Sequence, residues 1–260
     1  MDLQLKEKVF IVTGGGTGIG EAISMGLHEE GAIPVIVGNN PEGAEKVKEK
    51  ISQNNGKCLV INEELGNEET CKNIINQVVS ELEQIDGIVN NAGTNDGAGL
   101  LSGTPESFRK SLSKNLNHYF DLVHYATPEL IKTKGSIINI SSKTALTGQG
   151  GTSGYVASKG AQLALTREWA LELAPLGIRV NAVIPAEVVT PMYDQWLSTQ
   201  ENPKEKLEEI ESKIPLKNRR TTPEEIANTV LFLLSEKSAH TTGQWLFVDG
   251  GYVHLDRAAT

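Results

Sequence analysis

Thr13-Gly14-Gly15-Gly16-Thr17-Gly18-Ile19-Gly20 follows the apolar stretch Val9-Phe10-Ile11-Val12 and precedes a helical pattern from Glu21 to Glu30. A strand, a glycine turn and a helix in that order form a phosphate cradle. Glycines let the backbone approach a pyrophosphate closely, and the open N-terminus of the helix attracts its negative charge.

Outward from this turn, short apolar runs alternate with longer helical patterns along the whole chain. The pattern predicts strands at 8–13, 34–38, 57–62, 86–90, 135–141, 178–184 and 244–248. It predicts helices at 18–30, 41–54, 67–84, 105–133, 154–176 and 223–235. The strands are rich in Val and Ile without alternation, as expected for burial on both faces. Helices between them supply right-handed crossovers, so the sheet should be parallel. The expectation is an α/β chain, a single Rossmann-like doubly wound domain over 1–260 with seven parallel strands.

In such sheets ligands bind beyond the carboxyl ends of the strands. The Gly14–Gly20 turn, Asn90-Asn91-Ala92-Gly93, Ser141-Ser142 and Pro185-Ala186 all follow strands and should meet on one rim. The segment 186–222 breaks the alternation, with Pro191, Trp196, Pro203 and a charged amphipathic stretch from Glu201 to Lys213. Leaving from a rim strand, it reads as a substrate lid; the plainer alternative is a solvated helix pair.

The 260 residues carry a net charge of −9, with 38% hydrophobic and 22% charged residues. That composition supports a sizeable core and speaks against nucleic acid or an anionic membrane as partner. No run of 18 apolar residues appears, and Met1 to Lys6 lacks the apolar core of a signal peptide, so a cytoplasmic location is expected. Cys58 and Cys71 have neither CxxC nor zinc spacing and read as reduced thiols, one on a strand and one on a helix. The five histidines form no HExxH pattern, and no metal site is expected.

At mid-chain, Tyr155-Val156-Ala157-Ser158-Lys159 places a tyrosine and a lysine four apart on one helical face. Alone, that spacing describes an ordinary amphipathic surface. Together with the glycine turn, Asn115 and Ser142 it describes an enzyme. A free tyrosine ionises near pH ~10, too high for a base at neutral pH, but a neighbouring ammonium favours the phenolate.

On these residues the chain resembles the short-chain dehydrogenase/reductase family from Lys8 to Gly251. The carrying motifs are Thr13-Gly14-x3-Gly18-x-Gly20, Asn90-Asn91-Ala92-Gly93, Asn115, Ser142, Tyr155-x3-Lys159, Asn181 and Asp249-Gly250-Gly251. Several segments are similar to L-fucose (6-deoxyhexose) dehydrogenase-type members: Asn95-Asp96-Gly97, Ser141 to Ala145, Thr147 to Gly150, Ile184 to Val188 and His254-Leu255-Asp256-Arg257.

The resemblance implies NAD(P) as cofactor and a catalytic set of Asn115, Ser142, Tyr155 and Lys159. Tyr155 would take the alcohol proton and Ser142 would orient the substrate oxygen. Lys159 would reach the nicotinamide ribose, and Asn115 would interrupt its helix and hold a relay water. Cofactor contacts are expected from Gly14, Thr17, Gly18, Ile19, Gly20, Asn39, Glu64, Leu65, Asn91, Ala92, Gly93, Tyr155, Lys159, Pro185, Val188 and Thr190. NAD-specific relatives carry an aspartate at the end of the second strand, whereas this chain has Gly38-Asn39-Asn40. The missing carboxylate tilts the expectation slightly toward NADP.

Three functions remain open. The first is oxidation of a hydroxyl on a small sugar or polyol, most concretely L-fucose or a related aldose. Asp96, Lys143, Gln149 and Glu187 would supply polar contacts, and Trp196 or Tyr193 an apolar face. Each of these is equally a solvated loop side chain. The second is a 3-oxoacyl-carrier-protein reductase or other ketone reductase, for which Lys217 to Arg220 would be the only local docking patch. The third is a nucleotide-binding regulator without catalysis. Small residues along 154–176 (Ala157, Ala161, Ala164, Ala170) suggest either subunit contact or packing on the parent sheet. A homotetramer is expected by resemblance.

Overall fold

The computed structural model describes residues 2–255, and Asp256 and Arg257 of the C-terminal motif lie outside them. Seven strands form one parallel sheet: β1 (Val9–Thr13), β2 (Ile33–Gly38), β3 (Leu59–Asn62), β4 (Gly87–Asn90), β5 (Ser136–Ile140), β6 (Arg179–Pro185) and β7 (Trp245–Val248). Their order is β3-β2-β1-β4-β5-β6-β7. Every pairing is parallel, so the doubly wound expectation is met.

The β1 residues show why the strands are apolar throughout. Val9 and Ile11 pack on one face with α3 (Glu68–Leu82), α5 (His118–Thr133) and α7 (Ser153–Leu173). Phe10 and Val12 pack on the other with α1 (Gly18–Glu29) and α10 (Pro223–Leu234). Ile36 on β2 meets α2 (Pro41–Gln53) through Ala44, Val47 and Ile51. Capping fixes where helices begin. Thr222 and Glu225 form a reciprocal capping box at α10, and Thr104 and Ser107 do the same at α4 (Pro105–Leu112).

The structure departs from the sequence pattern in several places. The long helix over 105–133 divides into α4 and α5 around a π-helical turn, Ser113–Asn117. A π turn holds one extra residue, which here turns Asn115 fully into the interior. The predicted helix 154–176 starts one residue earlier and ends in a 3-10 turn, Ala174–Leu176. Cys58 precedes β3 rather than lying on it, and Cys71 sits buried on α3; both are free thiols. A short α6 (Thr144–Thr147) was not signalled by the sequence. The 186–222 excursion carries two helices, α8 (Pro191–Ser198) and α9 (Pro203–Ser212). On α7, Leu163 packs against Ala182 and Ile184, and Ala170 joins the α3–α5 core, so these two serve the parent sheet. Ala157 and Ala164 remain exposed. Among the described residues no helix is long and apolar enough to cross a membrane.

Candidate active site

The ends of β1 and β4 are tied together. Thr13 Oγ1 accepts the backbone N–H of Asn91 (2.8 Å) and of Ala92 (2.9 Å). Asn91 Nδ2 donates back to the Thr13 carbonyl at 2.9 Å. Above this clamp the glycine turn doubles back. Gly14 and Gly18 adopt φ of +65° and +55°, which L side chains rarely tolerate. A Cβ on Gly16 would stand 2.7 Å from the Ala44 nitrogen, and one on Gly20 would meet Asn91 Nδ2 at 2.8 Å. Thr17 caps α1 by backbone conformation alone, with no side-chain bond to its first N–H groups. Those donors therefore face the turn, as an anion site requires.

A cleft of about 450 Å³ opens over this rim. Gly14, Thr17, Gly18 and Ile19 form its loop wall. Asn39, Glu64 and Leu65 line the β2–β3 end, and Asn91, Ala92 and Gly93 the end of β4. Ser142, Tyr155 and Lys159 line it from β5 and α7, and Pro185, Val188 and Thr190 from beyond β6. Gly20 stands behind the turn and Asn115 beneath it, and neither reaches the cleft surface. Thr190 also caps α8, where its Oγ1 accepts the Tyr193 N–H (3.2 Å). Sequence reasoning missed Lys114 and Thr94, which also line the cleft. Lys114 arrives there through the π turn, which no residue type announces. It also missed Glu63, whose N–H donates to the Gly38 carbonyl at 3.0 Å and so brings a carboxylate to the end of β2.

The four expected catalytic residues come together at the β4–β5 end. Ser142 Oγ accepts from Thr144 N (3.2 Å) and Thr144 Oγ1 (3.0 Å), which leaves its own proton to donate. Its hydrogen bond to Tyr155 draws that phenol down, but burial outweighs it and the phenol is raised overall. Lys159 Nζ donates to the Ile140 carbonyl at 2.7 Å and lies 5.5 Å from the centre of the Tyr155 ring. Burial pulls this ammonium down to about 7. In the protein alone both groups are desolvated, and both are pushed toward neutrality. Asn115 Oδ1 accepts the Thr94 N–H (2.7 Å), and its Nδ2 donates to the Ser111 carbonyl (3.0 Å). Its backbone carbonyl accepts Gln162 Nε2 at 2.7 Å.

The residues expected around the substrate divide into two groups. Lys143 and Glu187 form an ion pair in which their side chains are 14% and 11% exposed. Lys143 Nζ also lies 4.0 Å over the Tyr252 ring, and burial, with the nearby Glu187 charge, pushes the Tyr193 phenol of α8 up. Asp249 holds the Tyr252 turn by accepting the N–H groups of Gly251 (2.8 Å) and Val253 (2.9 Å). The second group does not converge. Asp96 is an exposed loop residue accepting Ser111 Oγ at 2.9 Å, so its carboxylate braces α4. Gln149 is exposed on the turn after α6, and Trp196 is 40% exposed with its ring edge on Tyr193 (5.3 Å).

The cleft fits a nicotinamide dinucleotide. The glycine turn packs so closely on Ala44, Asn91 and its own backbone that a Cβ at Gly16 or Gly20 would collide, and a donor-rich helix end faces the cleft. When bound, the dinucleotide supplies the hydride acceptor or donor. At the end of β2, Asn39 and Asn40 both line the cleft, and Asn40 also caps α2 by accepting the Gly43 N–H (3.0 Å).

A parallel doubly wound sheet with this cleft, lined by Ser142, Tyr155 and Lys159, defines a nicotinamide-dependent oxidoreductase acting on a CH–OH or ketone carbon. The family model described as enoyl-(acyl carrier protein) reductase matches residues 14–253. The solved Cj0485 dehydrogenase is 46% identical, with a TM-score of 0.94 over 99% of this chain and 98% of that one. The 3-oxoacyl-(acyl-carrier-protein) reductase of Thermotoga maritima is 35% identical over 96% of this chain and 100% of its own length. The ligand-free aldohexose dehydrogenase of Thermoplasma acidophilum is 31% identical, with a TM-score of 0.89 over 99% and 98% of the two chains. The chain belongs to the short-chain dehydrogenase/reductase family.

Proposed function

We propose that the enzyme oxidises a hydroxyl of a small, neutral, polyhydroxylated substrate, most concretely L-fucose or a related aldose. Tyr155 takes the hydroxyl proton as hydride leaves the same carbon. Ser142 donates to the substrate oxygen and orients it. Lys159, once charged, favours the Tyr155 phenolate and holds the cofactor ribose. Asn115 fixes the loop after β4 against α4.

The observation that carries the substrate class is the Lys143–Glu187 pair, one residue from Ser142 and two residues beyond the end of β6. A nearly buried ion pair needs further hydrogen-bond partners for the capacity its partner does not satisfy. Substrate hydroxyls supply both donors and acceptors, whereas an acyl chain supplies neither. An aldohexose-oxidising relative at 31% identity supports the same reading.

The similarity to the Thermotoga reductase favours a second reading, reduction of a 3-oxoacyl group on an acidic carrier protein. Against it, Arg219 is held by Glu225 (2.5 Å), and Arg220 by Asp194 (2.9 Å) and Glu211 (3.4 Å). These arginines are engaged in internal pairs rather than free for docking. Initial rates with an aldose panel, run beside acetoacetyl-thioester reduction, separate the two. Aldose oxidation at least tenfold above thioester reduction in kcat/KM supports the first, a difference of ~1.4 kcal/mol in transition-state binding; the reverse order overturns it.

On this reading NADP keeps a slight advantage, because residues 38–40 hold no carboxylate, and Glu63 limits it. The 186–222 segment acts as the lid, and the exposed alanines of α7 face a subunit of a homotetramer, which light scattering tests.

A further inference from the structure

Behind Lys159 the protein buries two polar side chains that neither the proton transfer nor the hydride transfer employs. Tyr119 on α5 and Gln162 on α7 are both fully buried. Apolar side chains of similar size would fill that space without the desolvation penalty. Each is placed one helical turn from a catalytic residue: Tyr119 four after Asn115, Gln162 three after Lys159.

Their contacts close a ring around the lysine. Lys159 Nζ lies 3.5 Å from Tyr119 Oη and 2.7 Å from the Ile140 carbonyl, and Tyr119 Oη donates to that same carbonyl at 3.3 Å. Gln162 Nε2 donates to the Asn115 carbonyl at 2.7 Å, and the same side chain offsets part of the upward push that burial gives the Tyr119 phenol. Thr166, one turn further along α7, accepts from Asn139 Nδ2 (3.0 Å) and donates to the Gln162 carbonyl (2.7 Å).

We propose that Tyr119 is a positioning residue for Lys159, that its hydroxyl, whose proton is held by the Ile140 carbonyl, supplies a lone pair which keeps the buried ammonium charged and aimed toward Tyr155, and that Gln162 supports that hydroxyl from the next turn of α7. The inference rests on Tyr155 and Lys159 being the catalytic pair.

The chemistry follows from what surrounds Nζ. Burial strips water from the ammonium and favours the neutral amine. The Ile140 carbonyl and the Tyr119 oxygen replace part of the lost solvation. His118, beside Tyr119 on α5, would oppose the charge if it were protonated, and burial keeps it neutral. Tyr155 faces Lys159 from its own helix. With burial drawing Lys159 to about 7, its charge at neutral pH is finely balanced, so the loss of one acceptor changes how much ammonium is present. A less charged Lys159 leaves the Tyr155 proton harder to remove.

Tyr119→Phe tests this with two readouts. The first is a 13C NMR titration of ε-labelled lysine in the cofactor-free protein, with the Lys159 signal assigned by Lys159→Arg. The Lys159 midpoint should fall by about half a pH unit or more. The second is the pH profile of sugar oxidation. Its acid limb in kcat/KM should move to higher pH, kcat at pH 7 should fall roughly three- to tenfold, and the sugar KM should stay within about twofold. Gln162→Leu should move both readouts in the same direction by less. A folded Tyr119→Phe protein whose titration and profile superimpose on the wild type overturns the proposal. If Tyr119→Phe does not fold, Gln162→Leu decides by the same two criteria. Tyr155→Phe separates the two failures. If it keeps full turnover, the catalytic assignment itself falls; if it is inactive while Tyr119→Phe behaves as wild type, only the role of Tyr119 falls.

Discussion

Thr13 and Asn91 exchange hydrogen bonds across 78 residues of sequence, joining the end of β1 to the end of β4 directly beneath the glycine turn. The two partners are not equivalent. Thr13 Oγ1 is the acceptor for two backbone N–H groups, whereas the Asn91 side chain makes one bond to one carbonyl. Thr13→Val leaves two half-buried donors unpaired and should cost roughly 2–3 kcal/mol, against about 1 kcal/mol for Asn91→Ala. Denaturant melts give the order, and the reverse order contradicts the clamp. Both variants should also weaken binding of the dinucleotide, read by fluorescence of its reduced form.

Lys143 and Glu187 should be coupled in substrate binding. Glu187→Gln and Lys143→Met should each raise the sugar KM roughly tenfold, while the cofactor KM changes little. Because each variant strands the other partner's charge, the double variant should cost less than the sum of the two. Strict additivity would show that the pair does not act on substrate as a unit.

His118 makes stability sensitive to acid. Burial, reinforced by the nearby Lys159 charge, lowers its imidazole to about 4, against an ordinary value near 6.5. A base with a depressed folded value is protonated first in the unfolded chain, so its contribution is complete above pH 6.5 and lost as pH falls toward 4. The loss over that window is on the order of 3 kcal/mol. Urea melts between pH 7 and 4 should show a shallower decline for His118→Phe than for the wild type. Parallel declines would remove His118 from the account.

Arg220 ties the two helices of the excursion to its closing segment. Its guanidinium reaches Asp194 on α8 and Glu211 on α9 and lies 5.1 Å over the Tyr193 ring. The adjacent Thr221 is bridged to Val188 beside β6. Arg220→Gln should leave the fold intact, hasten proteolysis within 191–213, and raise the sugar KM several-fold with a smaller effect on kcat. Unchanged cleavage would mean that the two helices are held by their apolar contacts instead.

The cleft's loop wall was legible because its chemistry is local. Only glycine accepts the backbone of Gly14 and Gly18, and strand, turn and helix follow one another directly in the chain. Tyr155 and Lys159 were legible by helical spacing, and Ser142 only through the family resemblance. The π turn was not, because the extra residue that buries Asn115 and turns Lys114 to the cleft is a packing outcome of α4 meeting α7. Nor was the fate of Asp96 and Gln149. Both have the polar character of sugar ligands, but one braces a helix and the other stays exposed on its loop.

The sequence by itself determined the sheet, its parallel winding and the phosphate cradle, since apolar periodicity and glycine conformational freedom act over a few neighbouring residues. Only the tertiary structure decided which polar side chains share a buried environment: Lys143 with Glu187, and Tyr119 and Gln162 with Lys159 and Asn115. Those partners are 3 to 47 residues apart along the chain. Their pairing is enforced by desolvation, which no residue experiences until the helices close over the sheet.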